Sequence, residues 1–239
     1  MIRIDSLGKS YPGFELKGVT FEVRPGEVVG FLGPNGAGKS TTLRLLLGLE
    51  RPATGSATVD GLYYRQLDRP LTRIGSLLDT GWINPRQSCV DYLTWVAVAN
   101  GISRHRVKEV LDLVGISSVG RRQVGKLSLG MKQRLGIACS LLGDPQFLVF
   151  DEPLNGLDPE GIIWVRNLLR SLADEGKGVL LSSHQLNEVG QTADRVVLIG
   201  GGIIRTTGRV DELTEGGRSL EQVFLEKLTD SVDYRGRTR

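Results

Sequence analysis

Val28-Val29-Gly30-Phe31-Leu32-Gly33-Pro34-Asn35-Gly36-Ala37-Gly38-Lys39-Ser40-Thr41 is the stretch that decides the fold. Its first five residues form an apolar run of strand length. The glycine loop that follows opens onto Thr41 to Leu47, a helical stretch closed by Gly48 in the manner of a C-cap. Gly33 to Ser40 match GxxxxGK[ST], a pattern that this composition produces by chance roughly 0.02 times in a chain of this length, so the match is read as a phosphate-binding loop. The chemistry asks for these residue types. Glycines let successive backbone N–H groups turn toward a phosphate, and a helix opening at Gly38 aims its positive dipole end at the same anion. Lys39 is placed to bridge phosphate oxygens, and the Ser40 hydroxyl to bind Mg²⁺.

Upstream, Ile2 to Leu7 and Val19 to Val23 alternate as strands. Downstream, Ser56 to Val59 and Arg73 to Leu78 read as strands, and from about Ser88 the period becomes helical: Val90 to Asn100, Arg104 to Val114 and Leu129 to Leu142. Phe147-Leu148-Val149-Phe150 is a continuous apolar run, as in a parallel strand covered on both faces. Ile162 to Leu172 (helix), Val179 to Ser182 (strand), Leu186 to Thr192 (helix) and Arg195 to Ile199 (strand) then alternate. Ser219 to Leu228 reads as a terminal helix and Tyr234 to Arg239 as a basic tail. Alternation on both sides of a helical insertion predicts an α/β fold with a mostly parallel sheet.

With 40% hydrophobic and 24% charged residues in a 239-residue chain, disorder, fibrous repeats and an array of domains are disfavoured. No apolar stretch is long enough to span a bilayer and the N-terminus has no signal-peptide pattern, so a cytoplasmic location is expected. A net charge of +3 is too small for a nucleic-acid footprint, and no nucleic-acid partner is expected. Cys89 and Cys139 lack metal or redox spacing and read as core thiols.

Asp151 ends the apolar run at the edge of the sheet where nucleotide sites form, placed to hold Mg²⁺. Glu152 beside it is positioned to deprotonate an attacking water. Further motifs make the likeness specific. Leu127-Ser128-Leu129-Gly130-Met131-Lys132-Gln133-Arg134 resembles the signature motif of ABC-type ATPases, Asn155-Gly156-Leu157-Asp158 their D-loop, and Ser182-Ser183-His184 their switch histidine. Tyr11 falls where that family stacks an aromatic ring on adenine. His105, between Arg104 and Arg106, reads as a surface residue.

The resemblance, over about residues 2 to 210, implies a P-loop NTPase with a mostly parallel central sheet, an antiparallel β subdomain and a helical signature subdomain. Residues 1–218 would form the ATPase domain, with the helical part inserted at about 80–143, and residues 219–239 a short C-terminal helix and tail. It implies ATP and Mg²⁺ as ligands and a head-to-tail pair of subunits, a homodimer, in which Lys39 and Tyr11 of one chain and Ser128, Leu129 and Gly130 of the other enclose ATP. Asp158 would lie at that interface, and Glu152 and His184 would carry hydrolysis. Three positions depart from the family: Leu129 replaces a common glycine, Met131 a common glutamine, and Asp79 the Q-loop glutamine, leaving Asp79 as a nucleotide and metal contact through water and Gln87 as a substitute. A single set of motifs resembles the subunit that energises a separate membrane permease, which would hold it at the inner face of the cell membrane. Trp82, Tyr92 and Trp95 are candidate anchors, although aromatics at helical spacing are more often core and Trp95 reads rather as core. Soluble ABC ATPases acting on ribosomes or DNA are the second class. Ser219 to Glu226 resembles the C-terminal segment of bacterial drug and antibiotic exporters.

Overall fold

The computed structural model describes residues 1–79, 81 and 83–229; Trp82 and the basic tail lie outside the described residues. Strands β1 (Ile2–Tyr11), β2 (Phe14–Val23) and β4 (Thr54–Val59) form an antiparallel sheet in the order β2-β1-β4. The second sheet has six strands: β5 (Ile74–Leu77), β6 (Phe147–Asp151), β7 (Gly178–Ser183), β3 (Val28–Leu32), β8 (Arg195–Gly200) and β9 (Ile203–Arg209), in that spatial order. All neighbours are parallel except β8 and β9. Eight α-helices are described: α1 (Lys39–Leu46), α2 (Cys89–Ala99), α3 (His105–Leu113), α4 (Leu129–Leu141), α5 (Pro159–Asp174), α6 (Leu186–Gly190), α7 (Val210–Leu213) and α8 (Leu220–Thr229).

The larger sheet is buried on both faces, which explains why its strands are apolar throughout rather than alternating. Along β6, Phe147 and Val149 point to one core, and Leu148 and Phe150 to the other. The first core lies between this sheet, α1 and the antiparallel sheet. The second gathers α2 to α6 and α8 on the opposite face. Helices α2, α3 and α4 pack on one another, and α4 also lies along β5.

The elements differ from the sequence-based expectation mainly in their polar parts. β1 and β2 run on to Tyr11 and back to Phe14, because Ser6 and Gly18 take left-handed φ values (48° and 58°) and shift the register, so the alternation breaks while the pairing continues. β9, half exposed and carrying Arg and Thr, and the four-residue α7, with two acidic residues, had no apolar period to reveal them. α5 begins three residues early, at Pro159, since its first turn is polar and is set by the Asp158 cap and the proline after it. Cys89 and Cys139 are packed thiols: burial raises the pKa of both, and Cys139 contacts the Tyr92 hydroxyl at 3.4 Å.

Candidate active site

Topology brings the three motifs together. β3 lies beside β7, and β7 beside β6, with Leu32 level with Ser183 and Asp151 level with Ser182. The chain segments that leave these strands at their carboxyl ends are therefore neighbours: the glycine loop after β3, Glu152 after β6, and His184 after β7. This is the edge at which open α/β sheets bind ligands. A cavity of about 470 Å³ opens there, lined by Gly13, Phe14, Pro34 to Gly36, Gly38 to Thr41 and Glu152.

Gly38 caps α1 with a left-handed φ of 108°, and a Cβ on it would stand 2.8 Å from Leu16 and 3.0 Å from Phe14. Only glycine satisfies both demands, and its use lets the loop close against the antiparallel sheet. Lys39 follows at once and is 5% exposed. Its ammonium donates to the carbonyls of Gly33 (2.7 Å) and Pro34 (3.3 Å) and lies 3.3 Å from Glu152 Oε1. A charge held in this way beside the first turn of a helix is a phosphate receptor.

Glu152 has a φ of 50°, a left-handed conformation that costs a non-glycine residue about 1–2 kcal/mol. The surroundings hold it there. Its N–H donates to the Ser182 carbonyl (3.1 Å) and hydroxyl (3.2 Å), while the Gln133 side-chain amide from α4 donates to its carbonyl and to that of Pro153, both at 3.3 Å. The carboxylate is thus aimed: Oε2 accepts from the His184 backbone N–H (3.3 Å) and lies 2.9 Å from His184 Nδ1. Oε1 is buried with no hydrogen bond, near the Lys39 charge. An unsatisfied carboxylate oxygen at the mouth of a phosphate cavity is what a base for water requires.

Asp151 accepts the Ser182 hydroxyl and is half-buried. Among the described residues no group of three or more His, Cys, Asp and Glu side chains is gathered to hold a metal. One carboxylate and the Ser40 hydroxyl do fit Mg²⁺, which keeps several waters and takes its remaining oxygens from phosphates. They do not suit a cation that needs an all-protein cage.

The signature segment lies elsewhere. Ser128 caps α4, accepting the Met131 N–H at 3.3 Å, and is exposed. The Leu129 side chain lies over Gly156, and Leu157 lies against Gly130, so the signature and the D-loop pack together within one chain. Asp158 accepts the Gly161 N–H at 2.8 Å as the cap of α5. None of Ser128, Leu129 and Gly130 is among the described residues lining the phosphate cavity.

Tyr11 is not among the described residues lining that cavity: its hydroxyl donates to Glu50, and burial, then this carboxylate, raise its pKa. Phe14, 6.3 Å from Tyr11 between ring centroids, is the aromatic residue on the wall. Asp79 is exposed, accepts the Gly81 N–H at 2.8 Å, and faces Asp151, Gln133 and Leu129 across a separate crevice of about 200 Å³. Gln87 is tied by its carbonyl to the Val124 N–H (2.9 Å) and lines neither space among the described residues. Phe14, Ser182 and Gln133 were not singled out by sequence reasoning. Phe14 stands just past the Pro12-Gly13 turn from Tyr11, Ser182 opens the histidine motif and Gln133 sits inside the signature segment Leu127 to Arg134, but the motifs carry no signal of their contacts with the Glu152 turn or the cavity wall.

Comparison with known proteins agrees with this geometry. The family model described as ABC transporter matches residues 16–155. The lantibiotic transport ATP-binding protein SrtF of Streptococcus pyogenes is 38% identical over 229 residues, covering 95% of this chain and 97% of the relative. The bacitracin transport ATP-binding protein BcrA of Bacillus licheniformis is 40% identical over 217 residues, covering 90% and 71%. A solved ATP-binding subunit of an ABC transporter superposes with a TM-score of 0.85 at 27% identity, covering 95% of this chain and 99% of that one. With the phosphate loop, the acidic pair and the histidine gathered at one sheet edge, the chain belongs to the ATP-hydrolysing ATP-binding proteins of the ABC transporter family.

Proposed function

We propose that this chain energises a membrane exporter of antibiotic-like peptides or drugs by ATP-driven closure of a head-to-tail homodimer. One observation carries the dimer. The phosphate loop and Glu152, with His184 beside Glu152 Oε2, line or border a cavity that the exposed N-terminus of α4 does not reach, so one chain supplies two halves of an ATP site that would complement each other across two copies. Ser128 and Gly130 of one copy then meet phosphates held by Lys39 of the other, a second use of a helix N-terminus for an anion. Tyr11, with Phe14 beside it, flanks the adenine end, and Asp158 and Asp79 border the interface.

Ser40 and Asp151 would hold Mg²⁺, which would supply charge neutralisation at the phosphates. Glu152 takes the proton of the attacking water at Oε1 while His184, fixed through Oε2, supports the γ-phosphate side. Phosphate also competes with Glu152 for Lys39, so nucleotide binding itself releases the base from its ion pair. The names of the relatives support transport of antibiotics, and the C-terminal segment supports export. No helix among the described residues is long and apolar enough to cross a membrane, which fits a peripheral subunit carried by a separate permease. Of the proposed anchors, Trp95 is 65% exposed on α2, whereas Tyr92 is committed to Cys139.

The test is Glu152→Gln. Its phosphate release is expected to fall by about 10²-fold or more, with ATP still bound and a closed dimer persisting in light scattering, whereas Lys39→Ala should abolish nucleotide binding. Tagged Glu152→Gln incubated with source membranes, ATP and Mg²⁺ should co-purify a hydrophobic multi-span protein. Unchanged hydrolysis overturns the catalytic assignment, and recovery of ribosomes, DNA-bound proteins or nothing overturns the permease reading.

A further inference from the structure

Gln133 is one of few polar side chains buried in this chain, 8% exposed, and the ATP chemistry described above does not use it directly. Both carbonyls it serves belong to the catalytic turn, Glu152 and Pro153, each 3.3 Å from Nε2. A primary amide has two N–H bonds, so one side chain can satisfy two successive carbonyls. Ser182 holds the N–H side of Glu152 from β7, and Gln133 holds the carbonyl side from α4. Together they over-determine a left-handed backbone that Glu152 would not keep unaided. The direction of the carboxylate toward Lys39 and His184 follows from that backbone.

The location of Gln133 matters as much as its bonds. It lies five residues after Ser128 on the same uninterrupted helix, about 7.5 Å along the axis at 1.5 Å per residue. A helix turn of this length moves as a rigid body, so a shift or rotation of the α4 N-terminus reaches the Gln133 amide undiminished. In the head-to-tail dimer, the reading on which this inference rests, that N-terminus faces the ATP held by the partner copy, whereas Glu152 acts on the ATP held by its own loop.

We propose that Gln133 is a positioning residue that couples the two ATP sites: anion engagement at Ser128 and Gly130 moves α4, and Gln133 brings the Glu152 turn into register for hydrolysis at the other site. The side chain touches neither nucleotide. It makes the base of one site responsive to occupancy of the other, so hydrolysis becomes cooperative in ATP.

The experiment uses the full chain and compares it with Gln133→Met, similar in volume but unable to donate. Three quantities are read: binding of a fluorescent ATP analogue, kcat, and the Hill coefficient of hydrolysis. The expected result is analogue affinity within about twofold of the parent, kcat lower by on the order of 10- to 10²-fold as for a base misplaced by near 1 Å, and a Hill coefficient falling from near its two-site limit of about 2 to about 1. Adding Ser128→Ala to Gln133→Met should then cost little more than either change alone. A residue that only packs would weaken folding without altering the Hill coefficient. Gln133→Leu, also near in volume and unable to donate, gives the same reading if the methionine variant is too unstable to assay. An unchanged Hill coefficient and kcat in a folded variant, while Glu152→Gln still dimerises with ATP, overturns the coupling alone. If Glu152→Gln does not dimerise, the dimer reading falls first.

Discussion

A Cβ built on Gly156 stands 2.1 Å from Leu129 Cδ2, and the Gly156 backbone is left-handed at φ 72°. The signature position where the family commonly has glycine thus carries leucine here, and the small residue is found across the contact, in the D-loop. The steric and conformational costs of changing it are separable. Leu129 is 54% exposed and its tip can turn aside, so the clash in Gly156→Ala is worth little, about 0.5 kcal/mol of coupling. The left-handed backbone costs an alanine about 1–2 kcal/mol whatever Leu129 does. Gly156→Ala should therefore lower Tm by about 3–10 °C, at about 2–4 °C per kcal/mol for a chain of this size. Calorimetry of Leu129→Gly, Gly156→Ala and the double variant should find that removing Leu129 recovers only the smaller part. Full recovery in the double variant would show that the clash, not φ, dominates.

Among the elements, Arg134 adds a polar tie between the helical segment and α5 beside the apolar core that the segment shares with the sheet. Its guanidinium lies 3.8 Å from the Trp164 ring centroid on α5, and its Nη1 donates to the Val114 carbonyl at the end of α3 (2.8 Å). One planar cation thus ties α4 to two other helices. Lysine keeps the charge but not the flat stacking surface or the directed donor. Arg134→Lys should cost about 1–2 kcal/mol, from a partly desolvated cation–π contact and one hydrogen bond. The check is the denaturant midpoint at unchanged m-value; an unaltered midpoint would mean that neighbouring apolar contacts suffice. The same elements mark what was legible in the sequence. The glycine loop, β3, β6 and the three long helices of the insertion were readable, since burial imposes a period and a phosphate loop imposes a spacing. The extended ends of β1 and β2, the edge strand β9 and the first turn of α5 were not, because left-handed residues, exposure and capping set them rather than apolar periodicity. At the site, Lys39, Asp151, Glu152 and His184 were legible as motifs. The roles of Phe14 and of Gln133, although the latter lies inside the signature segment, were not, because they arise from what the β1–β2 turn and α4 pack against.

For the whole molecule, the decisive surface is the one turned away from ATP chemistry. Along α2, Leu93, Val96 and Ala97 enter the core while Trp95 and Val98 remain 65% and 53% exposed. A tryptophan left so open on a well-packed helix is costly to keep in water and suits an interface anchor, where its truncation often costs 2 kcal/mol or more. Trp95→Glu with Val98→Glu places charge on that face without disturbing the buried one, so the stability change should stay within about 0.5 kcal/mol per site and ATP-analogue binding should be unaltered. Recruitment to source membranes should instead fall by about 30-fold or more, the equivalent of 2 kcal/mol. Sedimentation of the tagged double variant with membranes, beside the parent chain, reads this directly. Loss of recruitment with intact nucleotide binding places the permease contact on α2. Retained recruitment moves it to the groove beside Asp79, where the crevice shared with Gln133 and Asp151 would connect the membrane partner to the catalytic turn more directly than α2 does.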